Sequence, residues 1–80
     1  MVKVRLFANF RETVGASELK IEAEDLEELV DKLINLYPDL KQLFSKKNYA
    51  KFAVNRILVS ENVKLRKKDE VAIFPPVSGG

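Results

Sequence analysis

Val2, Val4 and Leu6 alternate with Lys3, Arg5 and Phe7, and this period of two predicts a half-buried strand at the start of the chain. The stretch from Arg11 to Ser17 contains Gly15 and reads as a connecting loop. Leu19, Ile21 and Ala23 then alternate with Lys20, Glu22 and Glu24, which predicts a second strand, paired with the first as an antiparallel hairpin. From Leu26 the period changes. Leu26, Leu29, Val30, Leu33, Ile34 and Tyr37 recur at three-four spacing and form one broad apolar helix face. Asp25 is placed to cap that helix, with Glu28 three residues on as in a capping box, and Pro38 ends it. A shorter helical piece with Leu40, Leu43 and Phe44 turned inward follows.

The second half returns to strands. Phe52 and Val54 open a third, Asn55-Arg56 is a tight turn because Asn tolerates positive φ, and Ile57-Leu58-Val59 returns from it. Val63 and Leu65 lead to a further turn at Arg66-Lys67-Lys68-Asp69. Val71 and Ile73 mark the last strand, with Ala72 and Phe74 on its other side. One long helix cannot cover both faces of such a sheet, so the expected architecture is two-layer α+β with one sheet face open. Periodicity does not say which strands are neighbours.

Eighty residues make a single domain over 1–80, near the size at which one core becomes marginal. The chain has no cysteine and no histidine. Thiol nucleophiles, thiolate metal sites and the usual general base are therefore missing, and catalysis by this chain alone is not expected. No apolar run approaches the ~18 residues that span a bilayer, and the start of the chain lacks the continuous apolar core of a signal peptide. A soluble cytoplasmic protein without a membrane partner is the expectation. Residues 1–40 hold five Lys/Arg against nine Asp/Glu, and residues 41–80 hold nine against three, so the net +2 conceals an acidic half and a basic half. Lys46, Lys47, Lys51, Arg66, Lys67 and Lys68 lack the interleaved aromatics of a single-strand binder, so a solvated surface is expected and nucleic acid is not. Glu27, Glu28 and Asp31 lie at helical spacing beside Lys32 and read as an outer face, so no metal is expected.

The chemistry is concentrated at the end of the sequence. Phe74 is followed by Pro75, Pro76, Val77, Ser78, Gly79 and Gly80. The two prolines fix φ and favour an extended tail over 75–80, and two glycines let another protein close around bare backbone. The six residues after Phe74 reach up to ~20 Å at ~3.3 Å each. A carboxylate presented in this way is a poor electrophile until its oxygen is transferred to phosphate. Phe7 shares its parity with Lys3 and Arg5, and Phe74 shares its parity with Ala72, so both are candidates for the open face.

Taken together, Phe7-Ala8-Asn9-Phe10-Arg11-Glu12, Ala53-Val54-Asn55, Asp69-Glu70-Val71 and the Phe74-to-Gly80 ending resemble the small sulfur-carrier subunits of molybdopterin synthase. That family is grouped with thiamine sulfur carriers and ubiquitin-like modifiers. The resemblance implies a ubiquitin-like β-grasp fold: a mixed sheet on one long helix, first and last strands side by side, and a flexible Gly-Gly tail. It implies that an E1-like enzyme uses ATP and Mg²⁺ to adenylate the Gly80 carboxylate, that a sulfur donor converts it to a thiocarboxylate, and that no cofactor is bound by the carrier. It implies tail insertion into the large synthase subunit, in a heterotetramer, with Phe7, Leu58 and Phe74 as partner contacts. Lys68 stands where the family usually has Gly. The alternatives are a modifier joined to protein lysines through Gly80, a carrier for thiamine or tRNA thiolation, and a plain interaction module with an inert tail.

Overall fold

The computed structural model describes residues 1–47 and 49–76. Five strands are present: β1 (Val2–Leu6), β2 (Glu18–Ile21), β3 (Lys51–Val54), β4 (Ile57–Val59) and β5 (Glu70–Phe74). Three helices accompany them: α1 (Ala8–Val14), α2 (Leu26–Leu36) and α3 (Leu40–Ser45). The sheet order is β2-β1-β5-β3-β4. β1 and β5 run parallel in the centre, with Val4 beside Val71 and Leu6 beside Ile73. All other neighbours are antiparallel, so the sheet is mixed.

The alternation along β1 and β5 decides the two faces. Val2, Val4, Leu6, Val71 and Ile73 are buried on one side, where they meet Leu26, Leu29 and Leu33 of α2. Leu40 of α3 and Phe10 of α1 complete that core. Phe10 lies 5.4 Å from the Phe44 ring and 5.9 Å from the Tyr49 ring, centroid to centroid, so aromatic packing closes one end.

The start of α2 is fixed by reciprocal side-chain bonds. The Glu28 N–H donates to Asp25 Oδ1 at 2.8 Å, as a capping residue should accept it. Glu28 Oε1 accepts from the Glu24 N–H at 2.9 Å, one residue earlier than in the usual capping box. On the outer side Lys32 Nζ lies 3.8 Å from Glu28 Oε1.

One expectation needs correction. The Arg11–Ser17 segment is not simply a loop, because α1 runs from Ala8 to Val14 and Gly15 ends it at φ 84. The helix is short and buries Phe10 alone among its residues, too weak a pattern for periodicity to register. The shorter helical piece expected after Pro38 is α3, and with α1 it covers core that the eleven residues of α2 leave open. Among the described residues no helix is long and apolar enough to cross a membrane.

Candidate functional site

The strand register places Lys3, Arg5, Glu18, Lys20, Lys51, Ala53, Leu58, Glu70, Ala72 and Phe74 on the face away from α2. Through its middle, Arg5, Ala72, Ala53 and Leu58 follow one another across four strands. The strip is apolar from β5 to β4, because two alanines leave a shallow floor with Leu58 standing at its end. Leu58 is 68% exposed.

Phe7 and Phe74 border this strip. Phe7 follows the last residue of β1, and its N–H donates to the Ile73 carbonyl at 3.1 Å, one residue from Phe74. Its carbonyl accepts from the Phe10 N–H, so the residue ties strand to helix. Ala8 then takes φ 52, in the left-handed region, as the chain turns into α1. A non-glycine residue held there costs on the order of 1 kcal/mol, and the packed strand and helix on either side keep it in place. Phe7 is 39% exposed, and the Arg5 guanidinium lies 5.6 Å from its ring centroid. Arg5 also lies 3.6 Å from Glu70 Oε1. Phe74 is half-buried beside Lys51 of β3. Phe7, Leu58 and Phe74 therefore share one face, although Leu58 stands apart from the two rings at the sheet edge.

From Phe74 the chain leaves the sheet through half-buried Pro75 and exposed Pro76. The tail residues Val77, Ser78, Gly79 and Gly80 lie outside the described residues. The root of the tail thus stands at the end of the central strand, beside the apolar strip.

The opposite end of β5 is held by a polar clamp. Asn55 Nδ2 donates to Asp69 Oδ1 at 2.9 Å, and Asn55 Oδ1 accepts from the Glu70 N–H at 3.0 Å. Asp69 Oδ2 accepts from the Arg66 N–H at 2.8 Å. The Arg66 N–H, and after it the Asn55 amide, holds the Asp69 carboxyl below the usual carboxylate range, because both bonds favour the ionised form. This end carries structure, and the other end carries the tail.

Pattern reading missed Ile57. It is also 68% exposed, although the register puts it on the core side of the sheet. The hairpin stands beside an open groove of about 540 Å³ bounded by Leu26, Val30, Phe44, Phe52, Val59 and Glu61, and Ile57 lies outside its lining. Only the short length of β4 hinted at this in the sequence. Among the described residues no three carboxylates converge as a metal site would require.

Comparison with known proteins gives this geometry a family. The ThiS family model matches residues 4–80. The molybdopterin synthase sulfur carrier subunit of Escherichia coli (strain K12) is 37% identical, with 100% of both chains covered. The protein of the same name from Dictyostelium discoideum is 34% identical over 98% of this chain and 94% of its own. Among solved structures, small archaeal modifier protein 1 from Methanosarcina acetivorans superposes with a TM-score of 0.85, at 33% identity over 99% of this chain and 95% of that one. The complex of subunits 1 and 2 of molybdopterin-converting factor from Helicobacter pylori 26695 includes a chain matching at TM-score 0.69 and 29% identity, over 99% and 97% of the two chains. The ubiquitin-like β-grasp fold and the end-to-end similarity agree, and the chain belongs to the ThiS family.

Proposed function

We propose that this chain is a sulfur carrier for molybdopterin synthesis and that Gly80 is its reactive residue. The observation that carries the reading is the match to a molybdopterin synthase sulfur carrier subunit over the full length of both chains. The geometry supports it, because the central strand delivers Pro75 and Pro76 next to the apolar strip of the open face.

The chemistry follows from what the chain lacks. A carboxylate will not exchange oxygen for sulfur directly, because oxide is a prohibitive leaving group. Attack of the Gly80 carboxylate on the α-phosphate of ATP releases pyrophosphate and leaves an acyl adenylate. Hydrosulfide delivered by the sulfur donor then attacks the acyl carbon, AMP departs and a proton is released, giving a thiocarboxylate. An E1-like enzyme supplies the groups that hold ATP and Mg²⁺, so a carrier without His or Cys suffices. Phe7, Phe74 and Leu58 are the contacts offered to the activating enzyme and then to the large synthase subunit, as a 2:2 heterotetramer. Pro75 to Gly79 form the slim arm that enters each active site. Support for the second partner comes from the Helicobacter pylori complex of subunits 1 and 2.

The deciding experiment is the intact mass of the chain after incubation with ATP, its cognate E1-like enzyme and a sulfur donor. Replacement of one oxygen by sulfur at Gly80 is expected. An unchanged mass, with the enzyme active on another carrier, would overturn the reading. A second reading is favoured by the TM-score of 0.85 to a small archaeal modifier protein: the same adenylate passes Gly80 to protein lysines. Lysine-linked conjugates in extracts of the source cell, lost when Gly80 is deleted, would distinguish it.

A further inference from the structure

The two edges of the sheet are treated differently. β2, at one edge, reads Glu18-Leu19-Lys20-Ile21, and its charged residues alternate with apolar ones. Charges of this kind discourage another strand from pairing. β4, at the other edge, is Ile57-Leu58-Val59, with no charge in the strand. Ile57 and Leu58 are among the most exposed large apolar side chains described. Among the described residues, its brevity is what protects β4.

Its hydrogen-bonding phase is also defined. Asn55 (φ 50) and Arg56 (φ 71) form the turn between paired Val54 and Ile57. Both positive φ values mark a type I′ hairpin, in which the flanking pair exchanges backbone bonds. The next pair, Ala53 and Leu58, is then a non-bonded pair, so the N–H and C=O of Leu58 point outward. Among the described residues no loop contributes a backbone bond to Leu58.

We propose that this edge pairs with a second copy of the chain, β4 against β4, on a two-fold axis at Leu58. Antiparallel pairing centred there lets each Leu58 N–H donate to the Leu58 carbonyl of the second copy. Leu58 meets Leu58 on the open face. Ile57 meets Val59 of the second copy twice, on the side of the groove beside Val59 and Glu61. All three strand positions thus form apolar cross-strand pairs, the unit of sheet stabilisation.

The flanking charges select a second copy over an unrelated strand. Arg56 precedes the strand and Glu61 follows it; both are exposed, and neither takes part in an ion pair among the described residues. Antiparallel pairing sets Arg56 beside Ser60 of the second copy, next to Glu61, and the two-fold repeats the contact. Parallel addition would set Arg56 beside Arg56. The remaining charged groups at the groove, Glu27, Asp31, Lys46 and Lys51, lie toward the helices and β3. Because the pairing covers Leu58, the dimer competes with any partner that needs that side chain. Self-association would then hold the free carrier apart until a partner takes it.

Three residues per strand bury less than a standard interface, so the expected dissociation constant is on the order of 0.1 mM. Sedimentation velocity of the full chain from about 10 μM to about 1 mM should show its mass doubling. Leu58→Pro removes the outward N–H together with the leucine side chain, breaks no bond to β3, and should weaken association at least about tenfold, with far-UV circular dichroism unchanged. Arg56→Glu and Glu61→Arg should each weaken it, and the double exchange should restore it, which tests the geometry even if the proline variant misfolds. A chain that stays monomeric to about 1 mM overturns the proposal. So does a dimer unaffected by Leu58→Pro, or one whose single charge reversals are silent or not rescued by the double exchange.

Discussion

Asn55 shows how much one side chain can hold. Its backbone takes φ 50, its N–H donates to the Glu70 carbonyl at 2.8 Å, its amide nitrogen donates to Asp69 and its amide oxygen accepts from Glu70. Alanine tolerates that φ poorly and replaces neither side-chain bond. Asn55→Ala should therefore cost about 1–2 kcal/mol in urea denaturation. The same clamp sets a pH dependence. Asp69 is held ionised by the Arg66 N–H and the Asn55 amide, so its folded pKa lies below the unfolded one. At a pH between the two values the unfolded chain binds more protons, so stability rises with pH there. The contribution is present above the unfolded carboxylate value of about 4 and is lost as pH falls through the folded value. Asp69→Asn should flatten that part of the stability profile below about pH 4, followed by thermal melts across the range. A profile as steep as that of the unaltered chain would show that other carboxylates dominate.

At the scale of elements, legibility tracked the number of repeats each pattern had. α2 was readable because six apolar residues recur at helical spacing behind a capping Asp25, and the cap bond to the Glu28 N–H is made. Asp25→Ala should cost about 1 kcal/mol by loss of that bond, measured by the shift in urea midpoint at constant slope. The Asn55-Arg56 turn and the final strand were equally plain. α1 was not, because Phe10 is its single buried residue and Gly15, its left-handed stop, also suits a loop. A Phe10-Val14 pair at i, i+4 ahead of Gly15 was the signal available. The pairing of β1 with β5 cannot be read from alternation, since a strand looks the same whichever neighbour it has; their adjacency followed from the family resemblance, and the structure supplies the parallel direction. Parity did place Phe7 and Phe74 on the open face. It could not show that Ile57 is exposed on the core side, because that depends on what packs against β4.

In the whole molecule, the polar clamp and the root of the tail occupy opposite ends of one strand. β5 contributes Val71 and Ile73 to the centre of the core, is clamped at Glu70 and releases the tail after Phe74. The buried apolar residues described lie between Val2 and Ile73. Damage to the core and to the tail should then separate cleanly. Ile73→Val removes one buried methyl group and should cost about 0.5–1.5 kcal/mol. In a domain of this size that lowers the Tm by about 4–8 °C per kcal/mol. Well below its Tm, this variant should still acquire sulfur at the normal rate, because its folded fraction stays near one. Gly80 deletion should do the reverse: the Tm stays within about 1 °C, and no thiocarboxylate forms. The two readouts are calorimetry and intact mass on the same samples. A Gly80 deletion that lowers the Tm as much as Ile73→Val would mean that the tail packs on the scaffold. A folded Ile73→Val variant that fails to load would mean that core packing sets the aim of the tail.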